Sequence, residues 1–224
     1  MTLALQLTGY ALFTGLFYGL LLFLPAGTFD YWQAWVFIAM FVTASVVQSG
    51  YLAVTAPDAL RRRTRPGPFA ETRPLQRLIH TGIVLTSVSA AVIAALDHRF
   101  GWSTVPTTVV VIGDLLVVAG LAVALLTIAQ NNYAAATITV ESGQPVVSTG
   151  LYAVLRHPMY AAALIVTAGT PVALGSYWGL VVRIPAVAVF VARIADEEKA
   201  LREDLPGYRE YTDKVSYRLV PGVW

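Results

Sequence analysis

Residues 159–192 read MYAAALIVTAGTPVALGSYWGLVVRIPAVAVFVA. Apart from Arg183 the run is uncharged, and as one helix its roughly 34 residues would extend about 50 Å at 1.5 Å per residue. That overshoots the roughly 30 Å hydrocarbon core of a bilayer. Pro171, Gly175 and Gly179 interrupt the run near its middle, where Ser176, Tyr177 and Trp178 can form a turn. The expected structure is a helical hairpin that returns both ends of the run to one membrane face. Polar residues crowd both ends, Gln144 to Tyr160 ahead of the run and Arg193 to Glu198 behind it.

Composition extends this reading to the whole chain. Hydrophobic residues make up 57% of the 224 and charged residues 12%, about half the charge of a typical soluble domain. Mean hydropathy is +0.65, so a water-facing surface cannot be covered. Four further apolar stretches, Leu7–Leu24, Trp32–Thr55, Leu75–Leu96 and Val105–Ala129, each approach the roughly 20 residues of a membrane-spanning helix. No basic segment or convincing cleavage site marks a signal peptide, so the first stretch reads as a retained span. The fold class expected is all-α, a polytopic integral membrane bundle. Residues 1–130 would form a four-helix transmembrane region. Residues 131–224 would hold the hairpin, a cofactor site and an amphipathic cytoplasmic tail too short for its own core.

Basic residues set the orientation. Six crossings place Arg61, Arg62, Arg63, Arg65, Arg73 and Arg77 on the same side as Arg156, Arg193, Lys199, Arg202, Arg209, Lys214 and Arg218. That side, with both termini, should be cytoplasmic, and Trp32, Trp35, Trp102 and Trp178 then gather at the outer interface. Lys is rare beside Arg, the usage of a GC-rich genome, and a bacterial or archaeal inner membrane is the expected location. The Arg61–Arg65 cluster reads as a topology anchor against anionic lipid, with contact to an anionic substrate the sharper alternative. Net charge is +2 and no nucleic-acid motif is present; with zero cysteines, disulfides, thiolate metal sites and a cysteine nucleophile are excluded.

Chemistry-bearing residues converge once the hairpin folds. Gln144-Pro145-Val146-Val147, Tyr152 and Arg156-His157-Pro158-Met159-Tyr160 lie before it, and Arg193, Asp196, Glu197 and Glu198 after it. Arg193 and Glu197 are four apart and share a helix face. A cavity there would hold a cation, a carboxylate, an imidazole and phenols before apolar walls, a layout suited to a zwitterionic cofactor beside a lipophilic substrate. Each residue also has a plain structural role: a snorkelling Arg, a helical ion pair, a proline opening a helix, belt tyrosines.

Together, Gly150-x-Tyr152-x3-Arg156-His157-Pro158-x-Tyr160, an apolar hairpin, Arg193-x3-Glu197-Glu198-x2-Leu201 and Tyr208-x2-Tyr211 resemble the isoprenylcysteine carboxyl methyltransferase family, itself similar to the phospholipid methyltransferases. The resemblance covers about the last 85 residues. It implies S-adenosylmethionine (AdoMet) as methyl donor, held by Gln144, Pro145, Val146, Val147, Tyr152, His157, Pro158, Met159, Tyr160 and Glu197. Glu197 would contact its ammonium group, and Arg193 would meet a substrate carboxylate. Gln144 stands where the isoprenylcysteine enzymes tend to have histidine, and Ala162 where a glycine often follows the motif tyrosine. Both departures leave the acceptor open.

A carboxylate or thiolate acceptor is already anionic; an amine or phenol would need Glu197, Glu198 or His157 to take its proton. Two other functions fit the same hydropathy. An NADPH-dependent membrane reductase of the sterol reductase type would use a similar C-terminal architecture, and a transporter or scaffold would bind no cofactor. Asp114 and Arg183, the deepest charges, can pair, line a polar cavity or act in catalysis, and they sit on the wrong half of the bilayer for the cofactor. Gly15-x3-Gly19 and Gly175-x3-Gly179 can permit close helix packing.

Overall fold

The computed structural model describes residues 3–57, 60, 74–134 and 143–224, and every regular element among them is helical. The helices are α1 (Leu3–Ala26), α2 (Trp32–Thr55), α3 (Pro74–Phe100), α4 (Thr107–Gln130), α5 (Pro158–Ala173), α6 (Tyr177–Asp204) and α7 (Tyr208–Lys214), with a 3₁₀ turn at Gly150–Ala153. Five, α1 from Leu7, α2, α3, α4 and α6, are long and apolar enough to cross a bilayer. Arg61, Arg62, Arg63, Arg65 and Arg73 lie outside the described residues.

The expected hairpin forms, with unequal arms. α5 has 16 residues and α6 has 28, so α6 is about 42 Å long and outruns the hydrocarbon core. Pro171 sits inside α5 without ending it. The turn is made by Gly175 at φ 71°, a left-handed conformation costly to side-chain-bearing residues. Ser176 then caps α6, its Oγ accepting from the Gly179 amide at 3.0 Å.

At that end of the bundle the connections are tied by a carboxylate the sequence reading did not single out. Asp97, at the end of α3, is 1% exposed. It accepts hydrogen bonds from the Ser103 amide (2.6 Å), Ser103 Oγ (2.7 Å) and Ser176 Oγ (2.5 Å). Tyr31 donates to the Leu174 carbonyl at 2.6 Å. Thus the α1–α2, α3–α4 and α5–α6 links share one polar cluster.

The exterior is the reverse of a soluble protein's. Leu12, Phe13, Leu85, Leu115 and Ile184 are each 60% exposed or more, a contiguous apolar cover that water would penalise and lipid tails would not. This is an integral membrane protein. Trp32, Trp35, Trp102 and Trp178 are exposed at the Asp97 end, where amphipathic rings suit an interface.

Small residues decide the closest helix contact, between α4 and α5. A Cβ on Gly113 would lie 2.3 Å from the Ala173 amide nitrogen, one on Gly120 2.6 Å from Val166 Cγ2, and one on Gly169 2.9 Å from Leu116 Cβ. Backbones can approach this closely only without side chains. The two glycine pairs singled out in the sequence behave otherwise: Gly15 and Gly19 are loosely surrounded, Gly175 makes the turn, and Gly179 packs on Pro171. Gly113→Leu should therefore destabilise the bundle by at least the roughly 1–3 kcal/mol of core overpacking. Gly19→Leu, with nothing within 4 Å of its Cβ, should be near neutral. Thermal unfolding in detergent reads the difference.

Asp114 and Arg183 do not pair. Arg183 donates to Ser87 Oγ at 2.7 Å, while Asp114 Oδ1 is buried without a hydrogen-bond partner among the described residues. Helical rise placed both at similar depth, but their helices, α4 and α6, pack mainly on α5 and α3 respectively and hold them apart.

Candidate active site

Opposite the Asp97 cluster, the start of α3, the end of α4, the start of α5 and the later turns of α6 meet around a cavity of about 340 Å³, within the range of small-molecule sites. Pro158 occupies the first turn of α5, where its missing amide hydrogen costs nothing. His157 and Tyr160 thereby flank that helix start. α6 runs on beyond the apolar run, carrying Arg193 and Glu197 one turn apart on one face.

The eleven residues expected to meet the cofactor or the acceptor all line this cavity: Gln144, Pro145, Val146, Val147, Tyr152, His157, Pro158, Met159, Tyr160, Arg193 and Glu197; Arg156 lines it too, and Asp196 and Glu198 do not. In its wall the Tyr160 hydroxyl donates to Glu197 Oε2 and accepts from Arg193 Nε at 3.0 Å. The helical ion pair that was the plain structural alternative for Arg193 and Glu197 does not form; the phenol stands between their side chains. Arg193 is 5% exposed and Phe190, one turn deeper, is also 5% exposed.

Glu198, the neighbour of Glu197, has another fate. Successive helical residues are separated by about 100°, so Glu198 turns away from the cavity. Its carboxylate meets Arg156 Nε at 3.0 Å, His157 Nε2 at 3.3 Å, Arg218 Nε at 3.1 Å and Arg202 Nη2 at 3.5 Å. It is 3% exposed and ties α6 to the segment before α5 and to the C-terminal tail. The Arg156 and His157 amides also donate to the Tyr217 and Arg218 carbonyls at 2.9 and 3.0 Å. Held this way, Glu198 and His157 are poor candidates to take a substrate proton.

The tail does not lie apart. Leu205, Tyr208, Tyr211 and Val215 form a small core with Val146 and Leu201, and Tyr211 donates to the Tyr152 carbonyl at 2.7 Å. Burial pushes both phenols well above the ordinary tyrosine range, with the Glu198 and Glu197 carboxylates adding to the effect at Tyr208 and Tyr152 at Tyr211. Both therefore stay protonated. Tyr208 lines the cavity, and its hydroxyl is buried without a hydrogen-bond partner among the described residues. Such an orphan is rare in folded proteins and marks a position where a ligand atom can accept.

Several lining residues escaped the sequence reading, notably His80, Ile83, Phe190 and Asn131. His80 and Ile83 sit early in α3, far from the C-terminal motifs in the chain. The available signal was the spacing of Gln76, His80 and Ile83, which places three residues on one helical stripe. Hydropathy alone concealed it.

Residues 108–205, from α4 through the end of α6, match the family model described as phospholipid methyltransferase. No curated protein matches the chain. The matched segment supplies α4, the hairpin and the Tyr160–Arg193–Glu197 centre, so over residues 108–205 the chain carries a domain of the phospholipid methyltransferase family, among the membrane methyltransferases.

Proposed function

We propose that this protein transfers a methyl group from AdoMet to the carboxylate of a lipophilic acceptor, with the cofactor held by residues 131–224 on the cytoplasmic side. The supporting observation is the Glu197–Tyr160–Arg193 sequence of hydrogen bonds in the lining of a cavity whose other walls are largely apolar. The residues fit AdoMet by their chemistry. Glu197 offers a carboxylate for an ammonium group, Tyr208 offers an unpaired phenolic donor, and Val146, Val147 and Leu205 offer apolar contact. Gln144, Pro145, Tyr152, His157, Pro158 and Met159 complete that wall.

Bound there, AdoMet supplies a methyl group on a sulfonium, already a good leaving group. The protein's part is proximity, alignment and exclusion of water. Tyr160 orients Glu197 through its hydroxyl proton. Arg193, its Nε fixed on Tyr160, faces an acceptor carboxylate with a planar fork suited to such a group. An anionic acceptor needs no general base, which agrees with the engagement of Glu198 and His157 in the buried ion cluster.

Thermal unfolding of the detergent-purified protein with added ligands tests the cofactor. AdoMet or S-adenosylhomocysteine at a hundredfold excess over Kd should stabilise the fold by about 2.7 kcal/mol, and NADPH should not. Stabilisation by NADPH alone would overturn the reading in favour of a reductase.

A further inference from the structure

Between Gln144 and His157 the cavity wall has one regular element, the 3₁₀ turn Gly150–Ala153. Such a turn closes with poorer hydrogen-bond geometry than an α-helix, and so short a helix is marginal alone. Yet it carries Tyr152, which is 9% exposed and lines the cavity. A fixed direction for that ring has to be imposed from outside the turn, and two side chains from distant elements reach it.

The first is Gln130, the last residue of α4. Its Oε1 accepts from the Leu151 amide at 2.8 Å, and Gly150 makes room for it. A Cβ on Gly150 would lie 2.6 Å from both Cδ and Oε1 of Gln130. The φ of Gly150 is 60°, in the left-handed region that glycine enters without steric cost. The second is Tyr211 on α7. Its buried hydroxyl donates to the Tyr152 carbonyl at 2.7 Å, with the Leu155 carbonyl 3.4 Å away. One contact holds the amide one residue before Tyr152 and the other holds the carbonyl of Tyr152 itself. The backbone on either side of its Cα is thereby fixed, and the direction of the side chain with it.

We propose that Gln130 and Tyr211 are positioning residues for the methyl donor, acting through Tyr152. Gln130 sets the turn from the end of α4 and Tyr211 sets it from the tail, so the ring is already aimed into the cavity when AdoMet arrives. Affinity then gains from a wall that needs no ordering on binding. This inference rests on the AdoMet reading and adds to it the residues that shape the cofactor wall without being named by the motif's own chemistry.

Calorimetric AdoMet titration of the detergent-purified full chain reads Kd without any acceptor. Tyr211→Phe and Gln130→Leu should each raise Kd at least about fivefold, the worth of one ordinary hydrogen bond. Gln130→Glu keeps an acceptor oxygen for the Leu151 amide and should stay within about twofold of wild type. In a Tyr152→Ala background, Tyr211→Phe should change Kd less than about twofold, because no ring remains to be aimed. Val215→Ala weakens the same small core without lining the cavity; it should lower the unfolding midpoint and leave Kd within about twofold. Should Tyr211→Phe fail to fold, the two Gln130 variants decide. Unchanged Kd in Gln130→Leu or Tyr211→Phe overturns the positioning roles. So does an equal loss in Gln130→Glu or Val215→Ala, or a Tyr211→Phe effect that persists without the Tyr152 ring. Wild-type protein that binds no AdoMet overturns the cofactor reading itself.

Discussion

Arg193→Lys is expected to reduce methyl transfer at least about a thousandfold while leaving AdoMet binding within a few fold. The charge survives this substitution; the geometry does not. Arg193 uses Nε on Tyr160 and Nη1 on Gln76, two positions of a planar fork that a single ammonium cannot occupy together. Truncating one partner of a buried hydrogen-bonded charge pair typically costs 2–5 kcal/mol or more, and a thousandfold in rate corresponds to about 4 kcal/mol. Arg193→Ala should be at least as severe. Steady-state kinetics beside calorimetric AdoMet titration checks the separation. Retained turnover in Arg193→Lys would remove the residue from substrate recognition, whereas joint loss of AdoMet binding and turnover would make its role general.

Glu198→Ala carries the largest expected effect on stability. It leaves Arg156 and His157, whose side chains are 6% and 4% exposed, without the carboxylate they share, and it also frees Arg218 from its 3.1 Å contact. Removing one partner from a buried ion pair costs about 3–5 kcal/mol. The expected result is detachment of the C-terminal tail from the segment before α5, seen as a lower unfolding midpoint and faster proteolysis after residue 205. Arg202→Ala is the control. Arg202 meets the same carboxylate at 3.5 Å but is 44% exposed, and an exposed pair at i, i+4 is worth only about 0.3–0.5 kcal/mol. If the two variants unfold alike, the cluster is not what fastens the tail.

The adjacent glutamates show where sequence reading stops. A Glu-Glu pair after an apolar run marks a polar helix end, and both residues then look equally available for chemistry. The 100° turn between them sends Glu197 toward Tyr160 and Glu198 toward three arginines and a histidine contributed by other segments and by the next helical turn. Asp114 and Arg183 show the same limit. Depth along a helix is readable from residue number, but the direction a residue faces depends on which helix packs beside it.

The long apolar runs, the break around Gly175 and the polar residues at both ends of residues 159–192 determined by themselves that the chain spans a membrane and folds back as a hairpin. Burial of apolar surface in lipid and internal satisfaction of backbone hydrogen bonds leave few alternatives for such segments. The local motif from Gln144 to Tyr160 and the Arg193–Glu197 face likewise named most of the cavity wall. Tertiary packing alone decided that Gly113, Gly120 and Gly169 make the closest helix contact, that Asp97 ties the opposite end, and that Gln76 grips Arg193 across 117 residues of chain. Those contacts join segments distant in sequence, and their strength depends on separations of a few ångströms that no pattern along one strand of residues encodes.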